Sequence, residues 1–284
     1  MPLVSVCLPT YEPKPEHLQA AISSVLDQTF SDWELIINDE SPNADVQKIV
    51  EPFLNDQRVK FFKNEKRLGI GGNWNATIRK STAPMISYMF QDDLWYPQYL
   101  EKMTGVLDRE KDIGFVATNH LYRIEGTTAS ASTGIYKEVE LLRNAVMKNG
   151  RIHRHEFLRH WVQRGLRPNL IGEPSFVVLR VSLMQRIGPF LEDMKQGLDA
   201  EYWVRALLES DGWWIAENLG EFRVHASGTT AKNEESGAGR MDRLRTLKIL
   251  AEALPPGPMK KLTKSVFRRE IIKMGWKWLK RKLL

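Results

Sequence analysis

Cysteine and long apolar runs are scarce in this sequence. Cys7 is the only cysteine among 284 residues, so no disulfide can form within the chain. The longest apolar runs, at residues 85–90 and 176–179, are far shorter than the roughly 20 residues that a helix needs to cross a bilayer. Residues 1–13 also lack the basic start and apolar core of a secretory leader. We therefore expect a soluble, cytoplasmic protein without a transmembrane helix.

The common fingerprints of phosphate-binding and covalent enzymes are missing as well. Residues 68–73 read LGIGGN, but no Gly-Lys-Ser/Thr ending follows, and the spacing G-x-G-x-x-G is absent. This glycine-rich stretch is as compatible with a tight turn as with a loop that binds a ligand through its N–H groups. No Ser-His-Asp or reactive-cysteine signature of covalent catalysis is present either.

Positive charge is concentrated at one end of the chain. The net charge is +6, but residues 240–284 contain 14 Lys or Arg against 3 Asp or Glu. The first 239 residues contain 27 basic against 32 acidic side chains and are mildly acidic. This distribution predicts an anionic partner for the C-terminal segment. We expect no nucleic acid, because no recognition motif accompanies the basic residues.

Apolar residues alternate between strand-like and helix-like spacing along the first part of the chain. The pattern predicts strands at residues 3–8, 33–37, 59–62 and 85–90. Helical spacing separates them, which is typical of a parallel sheet covered on both faces. Polar residues follow the strands, so the loops that carry Thr10, Asp39 and Asp92 should meet at one edge of the sheet.

Two adjacent carboxylates, Asp92 and Asp93, follow the strand at residues 85–90. Ligands of open α/β sheets bind at the carboxyl ends of the strands. Two oxygen donors there suit Mg²⁺ or Mn²⁺, which can bridge protein carboxylates and a diphosphate. The alternative is that one of the two aspartates caps the helix that begins near Pro97.

Seven segments resemble, in their order and spacing, the family-two glycosyltransferases over roughly residues 3–230. They are VSVCLPTYEP, LIINDES, NEKRLGIGGNWN, FQDDLWYP, IGEPSFVVLR, GLDAEYWVRAL and FRVHASGTT. The resemblance implies the nucleotide-sugar-binding fold called GT-A, an α/β fold with a mixed, mostly parallel sheet flanked by helices. It also implies an inverting transfer of a sugar from a UDP-, dTDP- or GDP-sugar to an acceptor hydroxyl.

The same resemblance implies roles for individual residues of the donor site. Those expected to contact the nucleotide are Thr10, Tyr11, Asp39, Arg67, Asn75 and Asp92, the last at the ribose. Asp93 is expected to bind the divalent metal, Mn²⁺ or Mg²⁺, and His225 matches a histidine that reaches the metal or the diphosphate in some relatives. The chain departs from the family at Phe90, where many relatives have a further acidic residue.

The segment GLDAEYWVRAL carries the expected catalytic residue. Aligned with the family, Asp199 takes the position of the general base that withdraws the proton of the acceptor hydroxyl. From the residues alone, Asp199 is equally an N-cap, with Glu201 complementing the helix dipole in the first turn. One-step inversion needs no enzyme nucleophile, in agreement with the missing covalent signatures.

The predicted organisation is a GT-A-like domain at residues 1–235 and a basic helical tail at residues 236–284. Within the domain, residues 1–110 are expected to bind the nucleotide sugar and residues 111–235 to face the acceptor. That acceptor is expected to be a glycan or a lipid-linked glycan in bacterial-type surface polysaccharide synthesis.

Helical projection of residues 260–284 places Phe267, Ile271 and Trp278 on one apolar stripe, with lysines and arginines on the remaining side. Such a helix can lie on an anionic membrane, which predicts a peripheral protein at the inner face of the membrane. The alternative is a helix docked on the protein's own body or on a second subunit, so a homo-oligomer stays open.

Two other functions also stay open. A non-catalytic module could bind a nucleotide sugar or a glycan, and a sugar-phosphate nucleotidyltransferase could share the fold and the metal. The second class needs a glycine-rich, lysine-containing signature near the first strand, where this chain has PTYEP at residues 9–13.

Overall fold

The computed structural model describes residues 1–125, 130–225 and 238–283. Its strands are β1 Val4–Thr10, β2 Trp33–Asp39, β3 Val59–Lys63, β4 Met85–Tyr88, β5 Leu94–Trp95, β6 Phe115–Ile124, β7 Gly150–Ile152, β8 Val177–Arg180 and β9 Gly212–Val224. Its helices are α1 Pro15–Leu26, α2 Asp45–Val50, α3 Ile70–Ile78, α4 Tyr99–Arg109, α5 Ser130–Val146, α6 Arg154–Gln163, α7 Val181–Ile187, α8 Leu198–Glu209, α9 Ala238–Ala253 and α10 Pro258–Leu283.

The strands form one mixed sheet in the order β3-β2-β1-β4-β8-β6-β9-β5, with β7 beside β9. The four strands from β3 to β4 are parallel, β8 runs antiparallel between β4 and β6, and β6 is parallel to β9. This arrangement confirms the predicted α/β fold with a mixed, mostly parallel sheet. The four strands predicted from periodicity are β1 to β4.

Strands β1 and β2 lie in the interior of the sheet and are buried along their whole length. Each is buried over seven residues, as expected for parallel strands with helices on both faces. Two buried polar side chains of these strands bond to each other: the Ser5 hydroxyl donates to Glu34 at 2.6 Å, and Lys60 forms an ion pair with the other oxygen of Glu34 at 2.7 Å. The sheet therefore provides a rigid edge from which the loops project.

Two apolar cores lie on the two faces of the sheet. Helices α1, α2 and α4 contribute to one core, and helices α6 to α10 contribute to the other. On the second face, Tyr202 and Trp203 of α8 are fully buried, and Tyr202 stacks on Phe190 with ring centroids 3.9 Å apart. This packing holds the first turn of α8 against the sheet.

The C-terminal helices α9 and α10 pack on each other, and they contact α8 and α6 respectively. Thr263 and Val266 of α10 are buried, while Phe267 packs against the second core. For residues 258–275, the structure therefore agrees with a helix docked on the protein's own body. The side chains of Trp276 and Trp278 lie outside the described part of the chain, and so does the predicted domain boundary at residue 235.

The outward side of α10 is basic. Lys261, Lys264, Arg268 and Lys273 are exposed, and Ile272 lies among them with 59% of its surface exposed. None of the described helices combines the length and the apolar character that crossing a bilayer requires.

Candidate functional site

The ends of β1 and β2 bring two predicted nucleotide contacts together. Thr10 and Asp39 are opposite each other in the parallel register, and the Thr10 hydroxyl donates to Asp39 at 3.0 Å. The same carboxylate accepts hydrogen bonds from the Ser41 hydroxyl at 2.6 Å and from Lys63 at 2.6 Å. Asp39 is fully buried, so in this structure it organises the loops after β1 and β2.

Tyr11 is held from two sides. Gln91 accepts a hydrogen bond from the backbone N–H of Tyr11 at 2.9 Å and donates to its carbonyl at 3.2 Å. The guanidinium of Arg67 lies over the Tyr11 ring, 4.0 Å from the ring centroid. The structure thus places Tyr11 and Arg67 side by side and ties both to the loop that carries Asp92.

The glycine-rich segment forms a turn that binds a carboxylate of the protein itself. The N–H groups of Leu68 and Gly69 donate to the Glu40 side chain at 2.7 and 3.0 Å. Gly69 adopts φ +80°, a conformation that glycine reaches without steric cost. Of the two alternatives left by the sequence, the tight turn describes these amides in the structure.

Asn75 does not join the predicted nucleotide contacts. It is 3% exposed, and its amide donates to the Phe190 carbonyl and to Glu192, each at 3.0 Å. Its carbonyl oxygen accepts the N–H of Phe190 at 3.0 Å. Because all its polar atoms bond to the protein, we assign Asn75 to positioning the segment before α8. The sequence did not indicate a role for the nearby Asn73, whose amide donates to the Thr10 carbonyl at 3.1 Å.

Asp92 and His225 form a pair beside the sheet edge. The Nε2 atom of His225 lies 2.9 Å from Oδ2 of Asp92, and the side chains are 13% and 27% exposed. His225 follows β9, and the ring of His17 lies 5.6 Å away. Asp92 does not cap α4, since that helix begins at Tyr99 with Gln98 as its N-cap. Carboxylate and imidazole together are ligands that Mn²⁺ accepts.

Asp93 points away from this pair into the protein. It is fully buried, and its Oδ1 accepts the backbone N–H of Arg223 at 3.3 Å. Its Oδ2 has no hydrogen-bond partner among the described residues. Burial, and then the charge of Asp92, raise the pKa of Asp93 well above its usual range. The geometry therefore favours Asp92 over Asp93 as the carboxylate that faces a metal.

A cavity of about 1110 Å³ connects the sheet edge with α8. Its lining includes the donor-side residues Phe90, Gln91 and Asp92, and the predicted base Asp199. The structure therefore brings Asp92, predicted at the ribose, and the predicted base Asp199 to one space, whereas the predicted metal ligand Asp93 is not among the described lining residues. Phe90, which replaces an acidic residue of many relatives, contributes an apolar wall and stacks on Trp74 at 4.7 Å.

Asp199 lies in the first turn of α8, after the N-cap residue Gly197. Its Oδ1 accepts the N–H of Ala200 at 2.7 Å, and its Oδ2 accepts the amide of Asn169 at 2.8 Å. Burial raises the pKa of Asp199 from 3.8 to about 7, and the Glu173 carboxylate adds to the rise, while the Ala200 N–H and the Asn169 amide act against it. A carboxylate with a pKa near neutrality can accept a proton efficiently at neutral pH.

Glu201 has a different environment. It is 1% exposed, and its two oxygens accept hydrogen bonds from Arg205 at 2.7 and 2.6 Å. Arg205 in turn donates to the carbonyl of Ile187. Such a bidentate buried pair fixes α8 to the end of α7 and leaves no free oxygen for a substrate. Glu201 is therefore a structural residue.

The loop before Asp199 is held by α9. Oδ2 of Asp242 accepts the backbone N–H groups of Lys195, Gln196 and Gly197 at 2.9, 2.8 and 3.1 Å. Asp242 is 8% exposed. Three amides that converge on one carboxylate oxygen fix the entry of α8, and with it the position of Asp199. Sequence reasoning missed this contact because nothing in the local pattern relates residue 242 to residues 195–197.

A buried charged cluster supports the cavity wall near Asp199. Glu173 pairs with His120 at 2.9 Å and lies 3.9 Å from Arg143, and both partners are fully buried. Burial alone would raise the pKa of Glu173, but His120 and Arg143 lower it to about 2. Glu173 thus stays ionised, and its negative charge contributes to the raised pKa of Asp199.

Comparisons with known proteins identify the family and the fold of this chain. The family model described as "Glycosyl transferase family 2" matches residues 5–171. The match covers more than half of the chain. A Campylobacter jejuni GalNAc(5)-diNAcBac-PP-undecaprenol beta-1,3-glucosyltransferase is 25% identical over 260 residues, covering 89% of this chain and 76% of that protein.

Two solved structures have a similar fold. Staphylococcus aureus TarS 1-349 in complex with UDP-GlcNAc has a TM-score of 0.71 at 14% identity, over 95% of this chain and 72% of that one. The mannosyltransferase PcManGT from Pyrobaculum calidifontis, in complex with GDP-Man and Mn²⁺, has a TM-score of 0.64 at 13% identity, over 93% and 68%. These likenesses confirm the GT-A fold, and the family match shows that this chain belongs to glycosyl transferase family 2.

Proposed function

We propose that the protein is a metal-dependent, inverting glycosyltransferase that moves a sugar from a nucleoside-diphosphate sugar to an acceptor hydroxyl. The observation that carries this proposal is the shared cavity, which is lined by both Asp92 and Asp199. Asp92 is paired with His225, and the pKa of Asp199 is raised to about 7. One carboxylate can serve the leaving group and the other the attacking group. A single displacement requires these two functions and no enzyme nucleophile.

The nucleotide is proposed to bind at the ends of β1 and β2. Tyr11 and Arg67 offer an aromatic face and a cation, and Tyr11 is bonded to Gln91 of the cavity lining. Thr10 and Asp39 are bonded to each other at the strand ends. Solved neighbours bind UDP-GlcNAc or GDP-Man, which supports a nucleotide sugar as donor for this chain. Because Asp39 is fully occupied by Thr10, Ser41 and Lys63, we propose that it shapes the base pocket and contacts the base only if one of these donors yields.

The metal is proposed to bind Asp92 and His225. Among the described residues no group of three or more His, Cys, Asp or Glu could hold a metal ion. Two protein ligands nevertheless fit Mn²⁺ or Mg²⁺, which commonly take their remaining ligands from substrate phosphates and water. A bound cation would neutralise charge that develops on the departing diphosphate. This assignment moves the metal role from Asp93 to Asp92.

Asp199 is proposed to be the general base. Asn169 and the Ala200 N–H hold its carboxylate in one orientation, and Asp242 fixes the loop that precedes it. Deprotonated Asp199 would take the proton of the acceptor hydroxyl as the new glycosidic bond forms. Glu173, which stays ionised, raises the proton affinity of Asp199 from within the same wall.

A glycan or lipid-linked glycan is proposed as the acceptor. The Campylobacter jejuni relative is named for a PP-undecaprenol-linked glycan, and the outward face of α10 carries Lys261, Lys264 and Arg268. This basic face could hold the protein at an anionic membrane while the apolar side of α10 packs on the body.

Release of free nucleoside diphosphate from a panel of UDP-, dTDP- and GDP-sugars tests the proposal. We expect slow release that requires Mn²⁺ or Mg²⁺ and that increases with a suitable acceptor. Binding without release would indicate a non-catalytic module. Production of nucleoside triphosphate from the nucleotide sugar and pyrophosphate would indicate a nucleotidyltransferase.

A further inference from the structure

A group of basic side chains lines the same cavity on elements separate from the donor site. Arg164 follows α6, Arg167 lies in the next turn, and Arg243 is on α9. The carboxylates that line the cavity come from other segments, since Asp92 follows β4 and Asp199 begins α8. The cavity therefore has a cationic wall where α6 and α9 meet.

Arg243 is poorly satisfied by the protein. Its Nε has almost no contact with solvent and no hydrogen-bond partner among the described residues. Burial, and then the neighbouring Arg167, lower the pKa of Arg243 to about 10. A guanidinium offers five N–H donors and no acceptor. Two neighbouring guanidiniums that are partly buried repel each other unless an anion joins them.

Among the described residues, Glu138 and Glu173 also line the cavity, but the ion pair of Arg167 at this wall is made to a third carboxylate. Glu270 of α10 is that carboxylate, and Arg167 contacts it at 3.3 Å. Glu270 also pairs with Arg269 at 3.4 Å and with Lys273 at 3.1 Å. One carboxylate is thus divided among three cations, and none of the ion pairs between described residues includes Arg243.

The cationic wall lies close to the proposed base. Arg167 is two residues from Asn169, whose amide donates to Asp199 at 2.8 Å. Two residues span at most about 7 Å along the backbone. A molecule that presents a hydroxyl to Asp199 can therefore reach the arginines with a group only a short distance away.

We propose that Arg167 and Arg243, assisted by Arg164, bind a phosphate or diphosphate group of the acceptor and thereby direct its hydroxyl toward Asp199. Phosphate oxygens suit the forked donors of arginine. The donor diphosphate is assigned to Asp92 and His225, so this site is a second anion site in the same cavity. The inference rests on the proposed glycosyltransferase activity and specifies the class of acceptor as phosphate-bearing.

Inorganic pyrophosphate is the probe for a direct test. Titration calorimetry in the presence of EDTA removes the metal through which the donor site is proposed to hold a diphosphate. The wild-type protein should bind pyrophosphate, and R167Q/R243Q should bind it at least tenfold more weakly. R245Q is the matched control, because Arg245 is on the same helix but pairs with Asp193 at 2.7 Å. Equal binding by R167Q/R243Q and R245Q, or no binding by the wild type, would overturn the proposal.

Two further measurements separate the sources of the phosphate and the two proposals. Sedimentation with phosphatidylglycerol vesicles measures binding to lipid headgroups. The proposal expects R167Q/R243Q to bind these vesicles as the wild type does. Loss of vesicle binding with unchanged pyrophosphate affinity would overturn it. Metal-dependent release of nucleoside diphosphate by the wild type without acceptor is measured in parallel, because it tests the glycosyltransferase proposal alone. If the wild type shows no release but the variant still loses pyrophosphate affinity, the glycosyltransferase proposal fails and the anion site stands.

Discussion

Replacing Asp199 with asparagine should lower activity and remove a pH dependence of stability. Asn169 is fixed by its own bonds to Gly172, at 2.9 and 3.1 Å, so the polar shell around position 199 stays in place. The amide cannot accept the acceptor's proton. We expect transfer to fall by about a hundredfold or more, the usual scale for a lost general base.

The effect on stability follows from the raised pKa of Asp199. Between 3.8 and about 7 the folded protein holds a proton that the unfolded chain has lost. The free energy of unfolding therefore decreases as pH rises through this window. From pH 5 to pH 8 the wild type should lose up to about 2.5 kcal/mol through this group, an upper limit because cavity water screens the charge. Asp199→Asn should not show this loss.

Urea unfolding at pH 5 and pH 8 measures the difference directly, and transfer rates are measured on the same preparations. The matched control is Asp193→Asn, six residues earlier with a side chain that is 68% exposed. The rate of the wild type should also decline below about pH 7, as Asp199 becomes protonated. A folded Asp199→Asn protein with normal transfer would refute the base assignment, and an identical pH dependence of unfolding in both proteins would refute the electrostatic reasoning.

Three other substitutions test the site. Asp92→Asn should abolish Mn²⁺-dependent release of nucleoside diphosphate, whereas Asp93→Asn, which faces the protein interior, should retain much of it; the reverse result would restore the metal role of Asp93. Asp242→Ala leaves three loop amides without their acceptor and should cost about 1–3 kcal/mol, with a lower kcat; urea unfolding and steady-state rates would show it, and an unchanged kcat would separate this loop from catalysis. Lys264→Glu/Arg268→Glu should weaken binding to phosphatidylglycerol vesicles, and wild-type binding should weaken as salt rises; equal sedimentation of both proteins would count against a membrane role for α10.

The first four strands could be predicted from the sequence because buried parallel strands are largely apolar. Strands β1, β2, β3 and β4 coincide with short apolar runs that polar turns terminate. Their common edge followed from connectivity alone, and the Thr10–Asp39 hydrogen bond confirms that these two loops meet. Side-chain direction was harder to predict. Asp92 and Asp93 are adjacent in sequence, but one faces the cavity and the other faces the backbone of Arg223.

Contacts between distant segments account for what the sequence did not predict. Asn75 looked like a nucleotide ligand, but its partner is Phe190, 115 residues later. Similarly, Glu40 occupies amides of the glycine turn that were open to a ligand interpretation. No local periodicity encodes such pairs, since each depends on how helices and loops pack after the sheet has formed.

The hydrogen bonds from residues 195–197 to Asp242 connect the position of Asp199 to the C-terminal helices. Helices α9 and α10 pack together, and α9 contacts α8. A surface that binds the outward side of α10 is therefore connected through α9 to the entry of α8. If such binding displaced α9, the hydrogen bonds of three amides to Asp242 would change in strength, and with them the alignment of Asp199. Binding of the protein to that surface and turnover would then be thermodynamically linked. Protein molecules already bound to the surface that carries the acceptor would process it best.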